Sequence, residues 1–318
     1  MNRTAIEALK ARLRLPVMAG PMFIASTAEL VIAQCRAGII GSMPALNPRS
    51  TAALDEDIAR IAEAVGDRPY AINLVAHRSN SRLDTDLEVV LRHKVPIVVL
   101  ALAANADLVR TLQAHGALVF QDVAKDRHAR KCAEMGVDGI IALGTGAGGH
   151  TGSLSPFALM QEIHDWWDGL LILAGCIATG RSVLAAEVLG ADLAYIGSPF
   201  LAATEANTPD AFRRMIVEGS AADIVTTNCF TGVDANFLIP SLRAHGIDPA
   251  TLVRREGSVN IDGGGDNAKA WKEIWSAGQG IGAVRRAGPA ADWVNGLATD
   301  YAAARRAMGM AAVAERSL

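Results

Sequence analysis

Apolar residues in this chain gather in short runs, separated by longer stretches where apolar and polar positions alternate with helical spacing. The runs fall at 15–19, 39–42, 70–75, 96–101, 117–121, 139–143, 170–174 and 193–196, and their starts recur every 21 to 31 residues. Each is far shorter than the ~20 apolar residues that a membrane-spanning helix needs. Each has the length and the near-continuous apolar character of a strand buried on both faces. Amphipathic stretches lie between most of them, at 50–65, 84–93, 105–115, 126–135 and 181–189. Eight strand–helix units in about 200 residues predict a (β/α)8 TIM barrel. A doubly wound open sheet is the competing architecture. The barrel is favoured because the texture changes soon after the eighth run.

That change begins near Glu205, beyond which the chain reads as helices and loops to about Glu256. A glycine-rich loop follows at 257–266, then a stretch at 269–284, then a polar–apolar helix over 290–314. The expected organisation is a barrel over residues 1–205, a mostly helical cap over 206–282 inserted after strand 8, and a C-terminal segment, 283–318, whose helix returns to the barrel. Composition narrows the class. Hydrophobic residues make up 51% of the chain and charged residues 20%, which excludes general disorder. Net charge is −3, so no basic excess points to nucleic acid. Mean hydropathy is +0.23, yet no run is long enough for a bilayer. The first sixteen residues are charged and amphipathic, without the apolar core of a secretory signal. Cys35, Cys132, Cys176 and Cys229 are widely separated, which argues against a disulfide framework and against a metal site. The expectation is a reduced, cytoplasmic enzyme.

In barrels the chemistry sits on the loops that follow the strands. Strand 1 leads into Gly20-Pro21-Met22-Phe23, a tight turn carrying apolar groups. Strand 3 carries Asn73 inside an apolar run, and a buried amide needs partners. After strand 5 come Gln121 and Asp122, with Lys125 three residues beyond Asp122. The loop after strand 6 is Gly144-Thr145-Gly146-Ala147-Gly148-Gly149-His150-Thr151-Gly152. It matches the GxGxxG pattern formally. A dinucleotide fingerprint, however, opens a helix in a first βαβ unit. Here the glycines run on to His150, and a helix starts only near Pro156. The glycines instead let backbone pass close to a flat ligand, with His150 turned toward it. The other six histidines lie in helical or polar contexts, and only His77, just past strand 3, falls near a strand's carboxyl end. Gly175-Cys176 after strand 7 and Gly197-Ser198 after strand 8 each precede a helix start. Backbone N–H groups in that pairing form the phosphate site common to barrels.

Taken together, these pieces resemble the nitronate monooxygenases, formerly called 2-nitropropane dioxygenases. That family is related to flavin-dependent enoyl-thioester reductases and NAD(P)H:quinone reductases. The matching segments are Gly20-Pro21-Met22, Asn73, Gly148-Gly149-His150-Thr151-Gly152, Ala174-Gly175-Cys176-Ile177, Gly197-Ser198-Pro199-Phe200 and Trp275-Ser276-Ala277-Gly278-Gln279-Gly280. The resemblance implies a noncovalent FMN in the barrel mouth. It places Gly20, Pro21, Met22 and Asn73 along the flavin ring, Lys125 near its polar edge, and Gly148 and Gly149 close against it. Gly175, Cys176, Gly197 and Ser198 would take the phosphate, Gln279 and Gly280 would close over the ring, and His150 would be the catalytic base. This sequence departs from the family where Cys176 replaces a frequent second glycine, and where Ser198-Pro199 replace Thr-Arg.

The implied reaction is oxidation of an alkyl nitronate or nitroalkane by O2 to a carbonyl compound and nitrite. As a neutral imidazole, His150 takes the α-proton of a nitroalkane. As an imidazolium it attracts the nitronate anion, and an ordinary histidine pKa permits both. The competing reading is an NAD(P)H-dependent flavin reductase acting on a quinone or an enoyl thioester, since one barrel serves both. A non-catalytic phosphate-ligand barrel leaves His150 and the Trp275–Gly280 segment unexplained. The expected partners are small molecules, with neither nucleic acid nor membrane, and the apolar-rich cap offers a face for a homodimer.

Overall fold

The computed structural model describes residues 1–102, 105–230, 232–254 and 273–310. The glycine-rich loop at 257–266 and the end of the last predicted helix lie outside the described residues. Eight parallel strands form the barrel wall: β1 (Val17–Ala19), β2 (Gly41–Pro44), β3 (Tyr70–Val75), β4 (Ile97–Ala101), β5 (Leu118–Val123), β6 (Gly139–Leu143), β8 (Leu170–Ala174) and β9 (Leu193–Ile196). Their order is β1-β9-β8-β6-β5-β4-β3-β2. The ring closes through one parallel bridge, Met18 to Ile40, and Ser42 Oγ donates to Ala19 O across the same seam at 2.6 Å.

The helices α2 (Ala28–Ala37), α3 (Thr51–Val65), α4 (Leu83–Arg92), α5 (Ala106–Ala114), α6 (Asp126–Glu134), α7 (Pro156–His164) and α8 (Gly180–Val188) cover the outside. Their starts are chemically marked. Thr27, Ser50, Asn105, Ser155 and Thr179 each accept a backbone N–H of the first turn, satisfying donors that have no partner within the helix. Alternate strand residues face outward to pack on these helices, while Met18, Ala71, Val99, Phe120, Ile141 and Ile172 fill the interior. Helix α1 (Arg3–Ala11) plugs the amino-terminal end of the barrel with Ile6 and Leu9. Arg3 fixes it there, its guanidinium forking onto Asp192 at 2.7 and 3.0 Å.

The helix expected directly after strand 8 is absent. A 3-10 turn at Ser198–Ala202 leads instead into the cap, which holds α9 (Asp210–Glu218), strands β10 (Ile224–Thr227) and β11 (Ala235–Leu238), and α10 (Ile239–Ala244). The hairpin pattern is faint in the sequence, and here a third strand completes it. That strand is β7 (Gly149–His150), taken from the loop after β6 and paired antiparallel to β11. The last helix, α11 (Ala290–Ala307), packs between α8 and α2 and completes the helical ring. Glu205 accepts the Ala290 N–H at its start, and a Cβ on Gly180 would lie 2.1 Å from the Tyr301 nitrogen, so the two helices meet backbone to backbone. No described helix is long and apolar enough to cross a membrane.

Candidate active site

The carboxyl ends of the strands open into a cavity of about 560 Å³, within the range of small-molecule and cofactor sites. Its floor is made by strand residues at alternate positions, among them Asn73, Val99, Asp122, Ala174 and Tyr195. Asn73 is buried, and its Nδ2 donates to Val99 O on the next strand at 3.1 Å. One rim is the turn after β1. Asn47, from the loop after β2, holds that turn: its Oδ1 accepts Ile24 N–H at 2.8 Å, and its Nδ2 donates to Met22 O and Ser26 O. Ile24 has a φ of 66°, in the left-handed region disfavoured for a branched residue, so the clamp offsets local strain.

Next to that turn, at the ends of β8 and β9, Gly175, Cys176, Gly197 and Ser198 face the cavity. Gly175 has φ 123°, open to glycine alone, and a Cβ there would also meet Thr145 O at 2.9 Å. A Cβ on Gly197 would instead meet nothing nearer than Met22 at 3.8 Å, so it would project into open cavity space. Bare backbone bordering empty space is what a phosphate-bearing ligand requires, and these residues fit one. Cys176 stands in the left-handed region, φ 59°, which explains why a glycine suits this position.

The roof is laced from distant segments. Gly149 N–H donates to Ser276 Oγ at 2.9 Å, and Ser276 in turn donates to Asn236 O in a short hydrogen bond. Asn236 Nδ2 donates to Ala147 O at 2.7 Å, Gly278 N–H to Ser198 Oγ at 2.8 Å, and Gln279 N–H to Gly146 O at 2.9 Å. Gly148 and Gly278 touch through backbone, since a Cβ on Gly148 would sit 2.9 Å from Gly278 N. His150 pairs with Ala235 in the small sheet, and Thr151 N–H donates to Asp234 O at 3.0 Å. The imidazole is therefore held on a strand and faces the cavity. Burial lowers its pKa below the ordinary histidine value, so the neutral ring dominates at pH 7. Phe212 and Trp275 stack at 4.9 Å to form an apolar wall beside it.

Of the residues singled out in the sequence, Gly20, Pro21, Met22, Asn73, Gly148, Gly149, His150, Gly175, Cys176, Gly197, Ser198 and Gly280 line this one cavity. Two do not. Lys125 is the extended residue just before α6 and is exposed, so the ring of cavity residues passes through Asp122 instead. Gln279 lies just outside the lining: besides its bond to Gly146, its Oε1 accepts from Cys176 Sγ at 3.8 Å. Sequence reasoning gave no role to Asp122, Tyr195, Phe212, Asn47 or Asn236. The first two carried a signal, because the strand period of two places them on the inward face with Phe120 and Leu193.

The cavity thus joins bare backbone at the ends of β8 and β9, a strand-held imidazole and an apolar wall. The chain belongs to the nitronate monooxygenase family, whose model matches residues 77–300. A nitronate monooxygenase of Neurospora crassa is 28% identical over 320 residues, covering 86% of this chain and 83% of that protein. The solved nitroalkane oxidase of Streptomyces ansochromogenes superimposes with a TM-score of 0.78 at 25% identity, covering 95% of this chain and 99% of that one. A third relative is (3aS,4S,5R,7aS)-5-hydroxy-7a-methyl-1-oxo-octahydro-1H-indene-4-carboxyl-CoA dehydrogenase of Mycobacterium tuberculosis, 32% identical over 218 residues. That match covers 67% of this chain, which spans only 60% of the relative's length.

Proposed function

We propose that this protein is an FMN-dependent nitronate monooxygenase that oxidises alkyl nitronates and nitroalkanes with O2 to a carbonyl compound and nitrite. The observation that carries the proposal is His150, a strand-held imidazole facing the cavity and kept neutral by burial. A neutral ring nitrogen accepts the α-proton of a nitroalkane and leaves a nitronate beside the imidazolium that has just formed. Phe212, Trp275 and Met22 exclude water from a small, weakly polar substrate. The backbone of Gly175, Cys176, Gly197 and Ser198 holds the FMN phosphate, and Gly20, Pro21, Asn73, Gly148, Gly149 and Gly280 border the space for its ring. Bound FMN supplies the electron transfer that neither imidazole nor carboxylate can perform.

The test begins with the absorbance spectrum of the purified protein, which should be that of a flavoprotein releasing FMN on denaturation. Mixed with a nitronate in air, it should consume O2 and form nitrite. No nitrite from any nitronate or nitroalkane would overturn the assignment. The acyl-CoA substrate named for the 32% identical relative favours one second reading, an NAD(P)H-dependent reductase of a quinone or enoyl thioester. Rapid anaerobic bleaching of the flavin by NADH or NADPH, without nitronate turnover, would establish that reading instead.

A further inference from the structure

The cavity floor holds a carboxyl group that the proposed reaction does not use. Asp122 lies on β5 two residues beyond Phe120, so both side chains turn into the barrel, and Asp122 reaches the cavity. The backbone N–H groups of Asp122 itself and of Leu102, just past β4, favour its charged form less strongly than burial opposes it.

Among the described residues, the groups facing Asp122 offer no compensating cation. Tyr195 on β9 shares the floor, and burial together with the Asp122 charge keeps its phenol protonated. Cys132 on α6 lies behind the strand, its thiol pushed up to about 12 by burial and by Asp122. His150, in the roof, is shifted toward its neutral form, Asn73 on β3 is uncharged, and Lys125 is exposed outside the cavity. Burial outweighs the lowering by nearby backbone N–H groups and raises Asp122 to about 6. A second negative charge in the same low-dielectric space raises a carboxyl further.

We propose that Asp122 is a redox-linked proton acceptor, taking up one proton when the ligand in the cavity becomes an anion. The inference rests on the flavin reading above. When two electrons enter the flavin, one proton goes to the flavin and a second, from solvent, to a carboxylate oxygen of Asp122. Both protons leave when the electrons pass to the oxidant.

The test is the midpoint potential of the flavin-loaded protein, titrated with dithionite against a reference dye from pH 6 to 8. Each proton taken up shifts the two-electron equilibrium tenfold per pH unit, about 30 mV. Above about pH 6, where the carboxyl is ionised before reduction, the wild type should therefore fall more steeply than Asp122→Asn, by up to about 30 mV per pH unit. Equal slopes in two loaded proteins would overturn the proposal while leaving the proposed function intact. A protein that cannot be loaded with flavin would overturn both. Should Asp122→Asn fail to fold, the wild type alone decides. Its reduced-minus-oxidised infrared spectrum should gain a protonated-carboxyl C=O band, and the absence of that band would refute the assignment.

Discussion

The floor and the roof of the cavity are assembled by different forces. Each floor residue sits on a strand hydrogen-bonded along both sides, so its position is set by the barrel as a whole. The roof is joined by single bonds between segments far apart in the chain, such as Gly149 to Ser276 and Asn236 to Ala147. Floor side chains can be exchanged only within the space the wall fixes. Roof chemistry can be loosened one bond at a time, which suits the side where substrate must enter. The histidine belongs to the roof and the carboxyl to the floor.

The largest effect should come from His150→Asn. A positioned base contributes about 10² to 10⁴ in rate, so nitroalkane turnover should fall by that range with the flavin still bound. Pre-formed nitronates, which need no deprotonation, should lose far less, and equal losses would assign the ring to anion binding instead. In the wild type the neutral imidazole is the active form, and burial lowers its pKa. Nitroalkane turnover should therefore rise with pH through a midpoint below 6.5 and stay flat above it.

Next comes Gly197→Val, which separates ligand from fold because its side chain would enter open cavity space. Flavin affinity should drop about tenfold or more, equivalent to at least about 1.4 kcal/mol, while the melting temperature of the apoprotein is unchanged. Unaltered flavin content would move the phosphate site elsewhere. Ser276→Ala removes two roof bonds and should destabilise by roughly 1–2 kcal/mol in thermal melts. If the roof is independent of the floor, it should also slow turnover of nitroalkanes without loss of flavin. The smallest change is expected from Cys176→Gly. Relief of the left-handed cysteine should stabilise the protein by about 1 kcal/mol, read as a rise of a few degrees in melting temperature.

Floor and roof also differ in how far the sequence reveals them. The runs at 70–75, 139–143, 170–174 and 193–196 coincide with β3, β6, β8 and β9, because buried parallel strands are apolar throughout. β2 starts two residues later than its run and takes in Gly41 and Pro44, which carry no strand preference. Lys125 is the extended residue before α6, exposed and outside the cavity lining, and its distance from Asp122 in sequence alone does not reveal this. β7 is two residues long and exists only because β11 pairs with it, so no periodicity announces it. The bonds of Asn236 and Ser276 span 89 and 127 residues, and nothing local marks either residue as a partner.

The displaced last helix ties the two halves together more firmly than their contacts suggest. In a simple barrel each strand brings its own covering helix, and the ring can grow unit by unit. Here the groove between α2 and α8 waits for a helix that begins at residue 290, although the strand it serves ends at residue 196. The whole cap is spun out in between, so it lies inside the circuit that must close before the barrel is sealed. Docking α11 brings the ends of nearly the whole chain together, and late, long-range closure of this kind slows assembly. The same clasp makes the cap part of the barrel's cooperative unit, so that losing the final helix would unseal the first strands as readily as the last.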